Sequence, residues 1–169
     1  MPIPIDIRLA TLADAPDMAE IHMRSWEAAY KDIIPAAYIR EKNATRPALW
    51  ERILSGENTT RYIIRSGGKA VGFVCVGPSE DDDVDDSFYD LHGLYLHPDY
   101  YRKGIGTQAM AFALDLARGR GKIAMTVWVF AGNANAIAFY EAAGFTPDGK
   151  IDTRDFGKIM ECVRLRREL

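Results

Sequence analysis

The chain has 169 residues, 48% of them hydrophobic and 27% charged, and a net charge of −3. That suits one folded domain, residues 1–169, long enough to bury roughly 70% of its unfolded surface, and argues against a protein built to coat nucleic acid. No run approaches the roughly 20 apolar residues that span a bilayer, the opening MPIPIDIRLA lacks the basic start and apolar core of a signal peptide, and Cys75 and Cys162 have no CxxC or metal spacing, so a soluble cytoplasmic protein without a disulfide scaffold is expected.

Residues 5–9 (IDIRL) alternate and read as a strand. Thr11 or Asp14 caps a helix running to about Tyr30, with Ala15, Met18, Ala19, Ile21, Met23, Trp26 and Tyr30 mostly at three-to-four spacing. Residues 35–55 hold more helical pattern, with interruptions expected near Asn43 and Pro47. Residues 61–65 and 70–76 read as strands joined by a turn at Ser66, Gly67 and Gly68. An acidic loop, residues 80–86 (EDDDVDD), precedes a strand over residues 87–96. Residues 104–118 read as a helix that Gly119 and Gly121 break, 123–130 as an apolar, central strand, and 133–143 as a helix closed by Gly144 as its C′ residue. Residues 145–165 contain two more strands around a polar turn near Asp152 to Asp155.

The stretch 91–106, LHGLYLHPDYYRKGIG, joins a strand through a glycine-bearing turn to a helix. The first amides of a helix lack internal partners and sit at the positive end of its dipole, so such a junction binds phosphate. Gly104-Ile105-Gly106-Thr107-Gln108-Ala109 also matches GxGxxA, a pattern of the dinucleotide-binding fold. Against that fold, the motif lies at mid-chain after a hairpin of strands, and residues 123–131 supply no acidic ribose partner. A Walker A loop fails, since Lys103 precedes its glycine. An EF-hand starting at Asp81 fails too, since its sixth and twelfth positions hold Asp86 and His92 in place of Gly and Glu. His22, His92 and His97 share no ligand spacing, so no metal is expected. The basic clusters Arg118, Arg120, Lys122 and Arg164, Arg166, Arg167 read as solvated faces.

A second motif joins the first. Asn133, Ala136, Phe139, Tyr140, Gly144 and Phe145 fill every fixed position of the pattern N-x-x-A-x-x-F-Y-x-x-x-G-F. Together with Leu94-Tyr95-Leu96 and Gly104-x-Gly106, this resembles the GNAT superfamily of acyl-CoA-dependent N-acyltransferases. The opening helix, with Trp26, Tyr30 and Pro35 in SWEAAYKDIIP, also looks like a common start in that family. The family's Gln or Arg, three residues before the first glycine, is here Tyr101, followed by Arg102 and Lys103. That turn is contacted largely through backbone N–H groups, so the resemblance still implies a pyrophosphate site at Tyr101, Arg102, Lys103, Gly104, Ile105, Gly106 and Thr107. The implied fold is a single α/β domain. It has a mixed, mostly antiparallel sheet of six or seven strands, about four helices, and splayed central strands that form a CoA cleft.

The implied reaction is acetyl transfer from acetyl-CoA to a primary amine of a small molecule or peptide, by direct attack in a ternary complex. The alternative is an inactive module of this fold that binds acyl-CoA as a sensor. An alkyl amine with a pKa near ~10.4 sits roughly 3 units, about 4–5 kcal/mol, from its reactive form at pH 7, so a proton path is needed. Asp90 is the first candidate base, four residues before Leu94, where many family members carry a strand Glu. Period-two alternation puts Asp90, His92 and Leu94 on one face, and His92 is the alternative base. By the resemblance, the N–H of Leu94 meets the thioester oxygen, and Tyr95 and Leu96 lie along the pantetheine arm. Gly93 is read as a bulge that opens the gap. Asn133 bonds the pantetheine amides besides capping its helix, with Ala136 and Phe139 beside the cofactor. The Tyr140 hydroxyl protonates the leaving thiolate. Trp26 and Tyr30, four apart on a helix, are candidate walls of the acceptor pocket, and the acidic loop is a candidate attractor for a cationic amine. Homodimers are common in the family.

Overall fold

The computed structural model describes all 169 residues. Strand β1 (Asp6–Leu9) leads through a 3-10 turn to helices α1 (Ala15–Ala29) and α2 (Ala36–Leu54), then to strands β2 (Arg61–Ser66) and β3 (Lys69–Pro78). Strand β4 (Phe88–Leu96), helix α3 (Ile105–Gly119) and strand β5 (Ala124–Phe130) follow, then helix α4 (Ala134–Ala142) and strands β6 (Thr146–Asp155) and β7 (Ile159–Glu168). The seven strands form one sheet in the order β1-β2-β3-β4-β5-β7-β6. Its one parallel pair, β4 with β5, is joined through α3, the long crossover that parallel neighbours require. That ladder covers only Phe88–Asp90 against Ala124–Thr126, although β4 runs on to Leu96 and β5 to Phe130.

The chain packs as two compact units, Met1–Cys75 with Gly93–Ala109, and Val76–His92 with Met110–Leu169. In the first, Met18, Ile21, Trp50, Leu54, Ile63 and Phe73 form one buried cluster. Burial of each such side chain contributes about 1.5–3 kcal/mol. A second cluster, Ile64, Val71, Ile105 and Ala109, takes in Leu94 and Leu96 and so fixes the end of β4 against the start of α3. Gly72 permits this approach, since a Cβ there would stand 2.5 Å from Leu96 Cδ2 and 2.7 Å from the Tyr95 carbonyl oxygen. Asp14, 1% exposed, ties β1 and β2 to the start of α1 by accepting hydrogen bonds from Arg8 at 2.7 Å, Arg65 at 3.0 Å and the Thr11 amide at 2.8 Å. Burial alone would raise its pKa, but these donors outweigh it and hold the carboxyl well below the usual range.

In the second unit β5 is almost wholly buried, and Met125 and Leu165 are fully enclosed. Arg164, 5% exposed, gathers three carboxylates there, with Nη1 2.9 Å from Asp81, Nη2 2.7 Å from Asp83 and Nε 2.7 Å from Asp148. The Trp128 indole donates to Asp81 at 3.0 Å. Cys75 and Cys162 are free thiols, and burial pushes that of Cys75 up to about 12. No helix is long and apolar enough to cross a membrane.

Two expectations need correction. Helix α2 is continuous through Asn43 and Pro47, because Ile39, Asn43, Arg46, Trp50 and Leu54 form one buried stripe at helical spacing while Pro47 is exposed. Two polar residues in that stripe hid it from the apolar pattern. The turn between the last strands is at residues 156–158, after Asp155, with Gly157 at φ 84°. Asp152 to Asp155 are paired strand residues, exposed along with the rest of β6, so no apolar alternation marked them.

Candidate active site

The strand–turn–helix junction expected after residue 91 lies within the first unit. After β4, the short 3-10 turn Pro98–Tyr100 leads through Tyr101 to two left-handed residues, Arg102 at φ 58° and Gly104 at φ 76°, and α3 begins at Ile105. Ile105 is buried and pins the helix start, while Arg102, Lys103, Gly104 and Thr107 are exposed. Helix geometry leaves the amides of Ile105, Gly106 and Thr107 without intrahelical acceptors. Lys103 turns back on its own loop, its Nζ donating to the Asp99 carbonyl at 2.8 Å and lying 4.9 Å from the centre of the Tyr100 ring. Tyr101 is exposed overall, although partial burial raises its phenol pKa. The N-terminal segment straps the loop. Gln108 Nε2 donates to the Ile3 carbonyl at 2.8 Å, and a Cβ on Gly104 would meet Pro2 at 2.7 Å. Gly104 therefore answers both a positive φ and a close approach.

An aromatic box stands in the same unit. His22 lies 5.8 Å from the ring centres of Trp26 and Trp50, 5.6 Å from Phe73 and 5.1 Å from Tyr95. Its Nδ1 accepts from the Trp50 indole at 3.1 Å. Burial, helped by the charge of Arg46, lowers the imidazole pKa to about 3, so the ring is neutral at physiological pH. Trp26 and Tyr30 contact each other edge to face at 5.3 Å, and both interact with the Tyr95 phenol, whose pKa burial raises. The candidate pocket walls thus belong to a set drawn from α1, α2, β3 and β4. Gly93 lies inside an unbroken strand, and its missing side chain leaves room for the Tyr95 ring, which a Cβ would meet at 2.7 Å. Arg46 stacks over Trp26 at 4.4 Å.

In the second unit Asp90 sits in the last rung of the β4–β5 ladder, opposite Thr126. The Thr126 hydroxyl donates to Asp90 Oδ1 at 2.9 Å, and His92 Nε2 stands 3.9 Å from Oδ2 and 3.0 Å from the Pro78 carbonyl oxygen. Burial raises the Asp90 pKa above the ordinary carboxylate range, against the pull of His92 and Thr126. The two candidate bases are therefore neighbours on one strand face, as alternation requires. Leu94 departs from them and packs with Ile64, Val71, Ile105 and Ala109.

Asn133 caps α4, its Oδ1 accepting from the Ala136 amide at 3.2 Å. Gly144, at φ 89°, is the expected left-handed residue after the helix. No residue of α4 is fully buried. Tyr140 is half-buried, edge to face with Phe139 at 5.4 Å and Phe145 at 5.9 Å, and Phe145 alone of the three is enclosed. The acidic loop is partly spoken for, because Asp81 and Asp83 are bound to Arg164. Sequence reasoning missed His22, Asn43 and Arg46. The helical spacing of His22, Trp26 and Tyr30, and of Arg46 and Trp50, was the available signal.

A seven-stranded mixed sheet, in which a strand runs through two left-handed residues into a helix N-terminus, defines an α/β protein. The model of the acetyltransferase (GNAT) family matches residues 16–145, and the chain belongs to that family. It is an acyltransferase of that family. An uncharacterized N-acetyltransferase of Bacillus subtilis, YuaI, is 31% identical over 142 residues, 82% of this chain and 78% of that one. An uncharacterized N-acetyltransferase of Methanocaldococcus jannaschii is 27% identical over 140 residues, 82% of this chain but 59% of that longer protein. Among solved structures, the PaiA N-acetyltransferase of Thermoplasma acidophilum in complex with coenzyme A shares the fold, with a TM-score of 0.72 at 22% identity over 99% of this chain and 100% of that one.

Proposed function

We propose that this chain, acting as one domain in the cytoplasm, transfers the acetyl group of acetyl-CoA to a primary amine of a small molecule or peptide by direct attack in a ternary complex. The observation that carries the reading is the segment from Leu94 to Thr107, in which a strand edge free of the β5 ladder runs into two left-handed residues and opens a helix. Amides of Ile105, Gly106 and Thr107 hold the pyrophosphate, with Arg102 adding charge. Strand residues Leu94, Tyr95 and Leu96 pair with the pantetheine arm as an added strand would. The Leu94 N–H meets the thioester oxygen as negative charge develops, an interaction worth ~3 kcal/mol in comparable sites. Asp90, kept partly desolvated, takes the amine proton directly or through water, with His92 beside it as the alternative acceptor. Tyr140, neutral at pH 7, donates to the departing thiolate, and Asn133 keeps its amide N–H groups for the pantetheine while its oxygen caps α4.

The test is calorimetric titration with acetyl-CoA against NADH, followed by a turnover screen over amines and peptides. Saturable acetyl-CoA binding in the micromolar range, no NADH binding, and Gly106→Glu weakening acetyl-CoA at least about tenfold is the expected result, since that change puts bulk and negative charge at the helix N-terminus. Equal affinity in the variant would sink the cradle. Binding without turnover on any amine would leave an acyl-CoA sensor.

A further inference from the structure

We propose that Arg46 is the anion-recognising residue of the acceptor pocket, and that the amine acetylated here carries a carboxylate. This rests on the acetyltransferase reading above and narrows its substrate class. Arg46 is 7% exposed, and its Nε and Nη2 are buried without any hydrogen-bond partner. Those two nitrogens point their N–H bonds in parallel from one edge of the guanidinium, the edge a carboxylate caps with two parallel bonds. No carboxylate of the protein takes that place. Glu27, on the helix that α2 packs against, meets Asn43 Nδ2 at 3.4 Å and Arg24 at 3.6 Å instead.

Elsewhere in this chain arginines in such surroundings are neutralised. Arg164 meets three aspartates and Arg65 meets Asp14 and Asp17. Arg46 alone among the buried arginines is left with an aromatic face, Trp26 at 4.4 Å, and with neighbours His22, Tyr38 and Tyr95, none of them a carboxylate. Arginine does not shed its proton to relieve this, and a buried charge needs a partner. Trp26, His22 and Tyr95, which stand next to it, offer aromatic surface to the body of a small ligand while the guanidinium fixes its acid group. Tyr95, a neighbour of Arg46, directly follows Leu94 in β4, which puts an acid group held at Arg46 next to that strand.

The experiment compares kcat/KM for common L-amino acids, their carboxamides and the corresponding decarboxylated amines, with rates corrected for the fraction of free amine. Thermal shifts of the protein with each compound run alongside. Wild type should favour the free acid about tenfold or more in at least one matched set, as a charge-assisted pair predicts. Arg46→Gln should abolish that preference, read as the acid-to-carboxamide ratio of kcat/KM, while acetyl-CoA affinity holds, and Arg46→Lys should restore only part of it. If wild type neither turns over nor is stabilised by the acids better than the amides, the proposal is overturned without help from a variant. A preference that survives Arg46→Gln in folded protein, or a variant that loses acetyl-CoA affinity as steeply as acceptor use, overturns it as well. Wild type that fails to bind acetyl-CoA defeats the underlying reading instead, so the two failures are distinct.

Discussion

Acidification should destabilise this protein through His22 before it touches the paired carboxylates Asp14 and Asp83. The imidazole of an unfolded chain takes a proton near pH 6.5, whereas His22 in the fold resists it down to about 3, because it is buried, receives the Trp50 N–H on Nδ1 and lies beside Arg46. A base with a depressed pKa contributes stability fully present above the unfolded value and lost as pH falls from there towards the folded one. Each pH unit in that window removes about 1.4 kcal/mol, so between pH 8 and pH 4.5 the loss from this one group is roughly 3 kcal/mol. The assay is urea unfolding of wild type and His22→Asn at both pH values. Asparagine keeps an acceptor near the Trp50 indole and cannot titrate. Asp14 and the Arg164 cluster act equally in both proteins and cancel in the comparison. Wild type should lose roughly 3 kcal/mol more than the variant between the two pH values. Parallel losses would show that His22 does not titrate as its surroundings demand.

Tyr140→Phe should cut turnover tenfold or more, on the ~10²–10⁴ scale of acid catalysis, with near-normal acetyl-CoA affinity. Unchanged turnover in steady-state assays removes the hydroxyl from the reaction. Because Asp90 must be ionised to accept a proton and burial raises its pKa, wild-type kcat/KM should fall on the acid side at a pH above the ordinary carboxylate range. Asp90→Asn should lose that limb. A limb that persists in Asp90→Asn and vanishes in His92→Gln would transfer the role to His92.

The sequence determined a good deal directly. The strand–turn–helix from Leu94 to Thr107 and the helix from Asn133 to Gly144 were legible because local rules govern them. Left-handed glycines, a side-chain cap and a helix N-terminus are decided within a few residues. The same locality placed Asp90 and His92 on one face of β4, since strand side chains alternate. It failed where the pattern was broken or absent, at the polar members of the α2 stripe and along the exposed β6.

Tertiary structure alone decided which charges have partners. Arg164 and Arg46 look alike in the chain, both basic residues in amphipathic segments. Only the fold brings Asp81 and Asp83, some eighty positions away, onto Arg164, and leaves Arg46 buried against Trp26 with none. It likewise turns His22, an ordinary helical histidine by its neighbours in sequence, into a neutral acceptor inside an aromatic box drawn from α1, α2, β3 and β4. Desolvation and pairing depend on what is close in space, and long-range contacts supply that. A local pattern fixes a backbone and the face it presents, but the charge state of a buried side chain belongs to the fold.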